Sequence, residues 1–464
     1  MEASARRTAI AELMPRAKKD LARLVAYRSV ANTDVTPIEE CIKAAEDVAA
    51  AFTELGIQNV KLLEMPFGHS AVYGHSPAPE GAPTVLLYTH YDVQPPLEEM
   101  GAWLSPPFEL TDRDGRWFGR GSSDCKGNIV AYLTALRTFN GKFPIGIKLI
   151  IEGSEEQGLG ELEGYVEKNP DLFQADVIVI ADTGNFKDGL PTFTTTLRGM
   201  VAVNVNVRTL EGPVHSGMFG GPTPDALLAL VQMLATLHDK NGNVTINNLD
   251  NGRLWSGVQY SNEQFRKDAR VLDGVGLIGD YDVSSMIWSR VSVTILGIDC
   301  PRVEGSASVV QAEASARISM RVPPGMDTKE AEDALIAHLK SAAPWNVQLS
   351  FEPGDAGMPF QADTTGPAYT AMKDAMREAY GCETTTAGQG GSIGLANTLR
   401  EACPNAEIML VGVEEPACLI HAPNESVDPK ELERHALSQA LFFEKFAEVW
   451  KKAAPQKQSV VKAI

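Results

Sequence analysis

Four short apolar runs, each leading into residues that can ligate a metal, constrain this chain more than any other feature. Thr84 to Tyr88 runs into Thr89-His90-Tyr91-Asp92-Val93-Gln94-Pro95. Ile147 to Ile151 runs into Glu152-Gly153-Ser154-Glu155-Glu156, and Val177 to Ile180 into Ala181-Asp182. Ile408 to Val413 precedes the loop that carries His421. Apolar runs without polar alternation read as strands buried on both faces, the texture of a largely parallel sheet. In open sheets of that kind, ligands bind beyond the carboxyl ends of the strands. Asp124 joins them from a Gly-rich turn, Trp117 to Gly127, that feeds a helix with Ile129, Tyr132, Leu133, Leu136 and Phe139 on one stripe. Five stretches are thereby expected to bring His90, Asp124, Glu156, Asp182 and His421 together around two metal ions.

Imidazole and carboxylate donors suit hard or borderline divalent cations. The six cysteines are scattered and form no CxxC pair, which disfavours iron–sulfur clusters, Cys-type structural zinc and a disulfide framework. One carboxylate bridging two ions leaves room for a shared water whose pKa falls toward about 7. Asp92, two residues from His90, is placed to accept the second imidazole N–H and fix the tautomer. Of the adjacent Glu155 and Glu156, one ligates metal, and the other is a candidate general base with a raised pKa.

The 464 residues suggest two domains. Helical spacing is read over Ile10–Tyr27 and Ile38–Leu55, with Gly56 as a stop. After Pro191 the pattern changes. Met200 to Val207, Val291 to Leu296 and Ala307 to Val322 alternate as strands with one wet face. Thr223 reads as an N-cap, with Pro224 first in a helix striped by Leu227, Leu230, Val231, Leu234 and Leu237. Thr328 to Ser341 reads as a helix and Val347 to Phe351 as a strand, while residues 240–290 carry no assignable pattern. This order is that of a ferredoxin-like α+β unit, inserted as residues 194–363. Residues 1–193 and 364–464 form an α/β domain with a mostly parallel sheet and helices on both faces, closed by helices at Tyr369–Tyr380 and Leu432–Val449 and ending in a basic tail expected to fray.

A net charge of −19 repels phosphate backbones and anionic lipid, so nucleic-acid and membrane partners are not expected. No stretch reaches the roughly 18 apolar residues of a spanning helix, and Met1 to Asp20 lacks an apolar signal core. A cytoplasmic location follows as the expectation.

His90-x-Asp92, Gly119-Arg120-Gly121-x-x-Asp124-x-Lys126-Gly127, Glu155-Glu156-x-Gly158, Ala181-Asp182 and His421-Ala422-Pro423-x-Glu425 together resemble the di-metal aminoacylase, carboxypeptidase and dipeptidase superfamily of metallopeptidases. Tyr88-x-His90-Tyr91-Asp92-Val93-Gln94-Pro95 and Gly390-Gly391-Ser392-Ile393 are similar to its carnosinase-type cytosolic dipeptidases. The resemblance implies a zinc-exopeptidase-like catalytic domain with an inserted lid and dimerisation domain. It implies that Asp124 bridges two ions, with His90 and Asp182 completing one and Glu156 and His421 the other. Zinc is the first choice of metal, manganese or cobalt the others. Glu155 becomes the general base and Asp92 the orienter of His90. The Asp124–Cys125 bond matches a position that is cis in the family. His215, in Pro213-Val214-His215-Ser216-Gly217, becomes an oxyanion donor acting in trans across a homodimer. Arg321, Gly391 and Ser392 become the seat of a substrate carboxylate. The implied activity is hydrolysis of dipeptides with a free C-terminal carboxylate; the alternative is N-acyl amino acid deacylation or carboxypeptidase action. Gln311, Ser308, Gly394 and Gln389 depart from the branch pattern and bear on side-chain preference. A non-catalytic scaffold is disfavoured because every expected ligand and the base are present.

Overall fold

The computed structural model describes residues 3–97, 101–249, 252–391 and 393–461, with side chains described as far as Lys452. The chain forms two compact units, Met1–Thr195 with Ala362–Ala387 and Gly394–Ile464, and Thr196–Gln361 with Gly388–Ile393.

The four apolar runs of the first unit are neighbouring strands of one sheet. The order runs Lys61–Leu63, Ala71–Ser76, Gly146–Glu152, Thr84–His90, Val177–Ala181, Glu407–Val411, Thr192–Leu197. Thr84–His90 pairs in parallel with Gly146–Glu152 and with Val177–Ala181, which pairs in parallel with Glu407–Val411. Every residue of Gly146–Glu152 and Val177–Ala181 is buried, as non-alternating apolar runs require. Helices Ala3–Val25, Glu39–Glu54, Lys126–Arg137 and Pro429–Val461 contribute Leu21, Val48, Leu133 and Phe442 to the core packed on the sheet. Gly56 adopts φ +81° just past the second of them, the stop its residue type predicts. The closing helix, Pro429–Val461, exceeds Leu432–Val449 at both ends.

The parallel strands all present their carboxyl ends on one side. There the chain beyond two of them stays in register: Gly184 bridges Glu414 in parallel, and Asn185 N donates to the Glu414 carbonyl at 2.8 Å. The segments carrying Asp182 and His421 therefore leave the sheet as neighbours.

The second unit is a four-stranded antiparallel sheet, ordered Ser292–Asp299, Glu313–Val322, Gly199–Arg208, Gln348–Gly357. With helices Ala226–Ala235 and Thr328–Ala342 in their chain positions, the β-α-β-β-α-β order is ferredoxin-like. Val201, Val203, Val205 and Val207 alternate into its core beside Leu230 and Leu335. One cap differs from the sequence reading. Asp225, not Thr223, caps the Ala226 helix, its Oδ1 accepting from Leu228 N at 2.9 Å. A carboxylate at a helix N-terminus gains from the dipole as well as the hydrogen bond, and Thr223 instead donates to the Phe219 carbonyl. Among the described residues, 240–290 hold two short helices, Asn262–Asp268 and Val283–Trp288.

A Cβ at Gly184 would stand 2.1 Å from the Glu414 carbonyl oxygen, a backbone atom that cannot yield. Gly184→Ala should cost about 1–3 kcal/mol of stability, read by urea denaturation of the metal-free protein.

Candidate active site

At the carboxyl ends of the parallel strands, ligand-type atoms converge. His90 closes its strand fully buried. Its Nε2 lies 3.1 Å from Asp124 Oδ1 and 3.1 Å from Asp182 Oδ1. His421 Nε2 lies 3.0 Å from the other Asp124 oxygen, Oδ2, and 3.2 Å from Glu156 Oε2. Asp124 thus offers one oxygen to each histidine. The two ligand groups, His90/Asp124/Cys125/Asp182 and Asp124/Glu156/His421, share it alone. Glu155 belongs to neither group; its Oε2 is 4.0 Å from His90 Nε2.

The turn presenting Asp124 contains the cis Asp124–Cys125 peptide and Gly121 at φ +79°. A single carboxylate holds this turn. Glu425 Oε2 accepts from Arg120 Nη1 at 2.7 Å and Gly121 N at 3.0 Å; its Oε1 accepts from Ser123 N at 3.0 Å and Asp124 N at 3.1 Å. Both Arg120 and Glu425 are almost wholly buried, where an ion pair persists only if further hydrogen bonds satisfy it. The motifs contained both residues, but their partnership was missed. The available signal was two opposite charges flanking two different ligands.

Asp92 does more than the sequence suggested. Its carboxylate stands 3.4 Å from His90 Nδ1, and its own carbonyl is nearer at 3.1 Å. The same carboxylate accepts from Glu155 N at 3.2 Å and Glu156 N at 3.0 Å. The His90 strand and the Glu155–Glu156 turn are thereby fastened to one side chain. Gln94 Nε2 adds a bond of 2.9 Å to Glu156 Oε2.

Burial, then the charge of Asp182, pushes the Glu155 carboxyl well above its usual range. Burial and Asp124 push Glu156 up to about 7. Glu414, which the sequence reading passed over, is raised by burial with Asp124 and Asp182. Hydrogen bonds to Asp124 and Glu156 raise His421 to about 11. Carboxyls that resist ionisation, crowded on two imidazoles, mark a site suited to cations. With N and O donors in two groups joined by one carboxylate, the residues fit two divalent ions.

The remaining expected residues lie in the second unit. His215 is exposed, its Nδ1 accepting from Gly217 N at 3.1 Å. Arg321 is half-buried on Glu313–Val322, and Gly391 is part-buried in the segment Gly388–Ile393. Ser392 lies outside the described residues.

The model of peptidase family M20/M25/M40 matches residues 86–445. A cysteinylglycine-S-conjugate dipeptidase of Corynebacterium striatum is 41% identical over 409 residues, 86% of this chain and 89% of that protein. A beta-Ala-His dipeptidase of Rattus norvegicus is 28% identical over 348 residues, 71% of this chain and 70% of that protein. The crystal structure of human carnosine dipeptidase 1 superposes with a TM-score of 0.79 at 25% identity, covering 97% of this chain and 99% of that one.

Glu425→Gln removes the charge that grips the Asp124 turn without removing a ligand-group member. Affinity for Zn²⁺ should fall roughly 10- to 100-fold, as read by calorimetric titration of metal-stripped protein.

Proposed function

This chain belongs to peptidase family M20/M25/M40, and we propose that it is a zinc-dependent dipeptidase acting on substrates with a free C-terminal carboxylate. One observation carries the reading: two ligand groups share Asp124 and leave the raised carboxyl of Glu155 beside them as a spare acid–base group. The dipeptidase names of relatives that match most of their length support the substrate class.

His90 and Asp182 would hold one ion, Glu156 and His421 the other, with Asp124 between them. Bound there, divalent ions supply Lewis acidity that brings a water's pKa toward about 7. Glu155 takes the water's proton on its carboxylate and delivers it to the departing amine nitrogen. A carboxyl with a raised pKa can serve in both directions near neutral pH. Asp92 keeps Glu155 and Glu156 in step through their backbone N–H groups. Arg321, Gly391 and Ser392 grip the substrate carboxylate, for which a guanidinium fork is suited. His215, contributed by the second copy of a homodimer, donates to the developing oxyanion.

The dimer reading is supported by the edge strand Ser292–Asp299, which exposes Ile295, Leu296 and Ile298. Apolar edges invite pairing with another copy. A reducing cytoplasm is supported by six cysteines that are all free. No described helix is long and apolar enough to cross a membrane.

Metal-stripped protein given Zn²⁺ or Mn²⁺ should regain cleavage of dipeptides and leave N-acetyl amino acids intact; cleavage of the acyl amino acids alone would overturn the reading. Glu155→Gln should lower kcat by roughly 10²- to 10⁴-fold while metal content stays at wild-type level. Leu296→Asp with Ile298→Asp should shift the sedimentation coefficient to that of a monomer.

A further inference from the structure

Two arginines of the second unit, Arg198 and Arg321, have no carboxylate partner among the described residues. Arg198 sits between Thr192–Leu197 and Gly199–Arg208 and is only 8% exposed. Its Nη1 donates to Ser292 Oγ at 3.0 Å and, at 3.4 Å each, to the carbonyls of Met286 and Arg290. Its Nε is buried without a hydrogen-bond partner, and among the described residues no carboxylate pairs with it. The sheet register brings Arg321 close. Arg321 stands opposite Met200 on one side and opposite Ser292 on the other, and Ser292 is the residue whose hydroxyl receives Arg198. Two guanidinium groups therefore flank one serine at one end of the sheet.

The segment Gly388–Ile393 lies against the same group. Arg198 N donates to the Gln389 carbonyl at 3.1 Å, and a Cβ at Gly390 would stand 3.0 Å from Arg198 Nη2. Glycine at 390 thus lets the backbone approach the guanidinium. Burial and the like charge of Arg321 pull the Arg198 pKa down to about 10. A buried cation facing a second cation is tolerated when a ligand supplies the counter-charge.

We propose that Arg198 and Arg321 together form the seat of the substrate's C-terminal carboxylate, with Arg198 a binding residue and not only a strut for the loop. The proposal rests on the dipeptidase reading. A planar carboxylate has two oxygens and can take a fork from each side, whereas Ser292 and two carbonyls at 3.4 Å leave most of the Arg198 donors unused.

The test pairs two substrates with three enzymes: a dipeptide and its C-terminal amide, against wild type, Arg198→Met and Arg198→Lys, each loaded with Zn²⁺. Arg198→Met should lose roughly 10- to 100-fold in kcat/KM on the free acid, mostly through KM. On the amide it should stay within a few-fold of wild type, and Arg198→Lys should recover part of the loss. Equal losses on acid and amide overturn the proposal, because a strut serves both substrates alike. If Arg198→Met does not fold, as judged by its thermal melt, the Lys variant carries the same comparison. Calorimetric binding of a non-hydrolysable dipeptide isostere, as acid and as amide, repeats the test without turnover; unchanged acid binding in the variants overturns the carboxylate seat. Failure of wild type to cleave any dipeptide overturns the dipeptidase reading instead, and the isostere series then decides on Arg198 by itself.

Discussion

Negative charge gathered at the ends of buried parallel strands is the constraint on which the catalytic unit depends. Asp124, Asp182, Glu155, Glu156 and Glu414 meet around His90 and His421, and burial drives the carboxyls of Glu155, Glu156 and Glu414 upward. Like charges at this spacing would push the strand ends apart unless a framework holds them. Backbone N–H groups supply that framework. Glu425 collects three of them and Arg120 around the Asp124 turn, and Asp92 collects two from the Glu155–Glu156 turn. Both carboxylates are themselves buried, so ligands and framework share one electrostatic problem. Divalent cations resolve it, and their removal should loosen the site before it loosens the sheet.

The sheet was legible because burial on both faces leaves a plain mark, an unbroken apolar run. The residues that converge at the strand ends stood out because such runs end abruptly in His90, Glu155–Glu156 and Asp182. The alternating valines of Gly199–Arg208 were legible for the complementary reason, one wet face. Residues 240–290 were opaque: their helices are six and seven residues long, too short to establish a periodicity. Thr223 with Pro224 after it has the pattern of a cap, but the carboxylate of Asp225, two residues beyond Thr223, competes better for the free N–H groups. Glu425, Asn128 and Arg198 escaped for a different reason. Their partners lie far along the chain, as with Asn128 Oδ1 accepting from Val413 N at 3.0 Å, and spacing carries no information about such pairs.

Cys125 adds a sulfur to the site. Its thiol lies 3.0 Å from Asp182 Oδ1 and falls within the ligand group of His90. Burial pushes its pKa well above the ordinary thiol value, although a divalent ion deprotonates a thiol that it coordinates. A neutral S–H donating to Asp182, with Asn128 Nδ2 donating to the sulfur at 3.3 Å, acts on the orientation of Asp182. The nitrogen and oxygen donors of the set suit zinc, manganese and cobalt alike.

The two units carry opposite electrostatic deficits. The first gathers carboxylates suited to cations; the second buries Arg198 beside Arg321 with no carboxylate partner among the described residues. In a chain with a net charge of −19, acidic side chains are plentiful, so the absence of one beside Arg198 among the described residues does not reflect scarcity. Internal salt bridges elsewhere form readily, as Arg116 with Glu415 and Arg6 with Glu444 do. A molecule that meets both must bring a carboxylate for the arginines and a polar carbonyl for the ions. A dipeptide has that form, with its scissile carbonyl one residue from its terminal carboxylate. A longer peptide ending in the same carboxylate presents the same pair of groups, so the arginine seat selects for a free C-terminus and leaves discrimination of length to whatever limits the amino side.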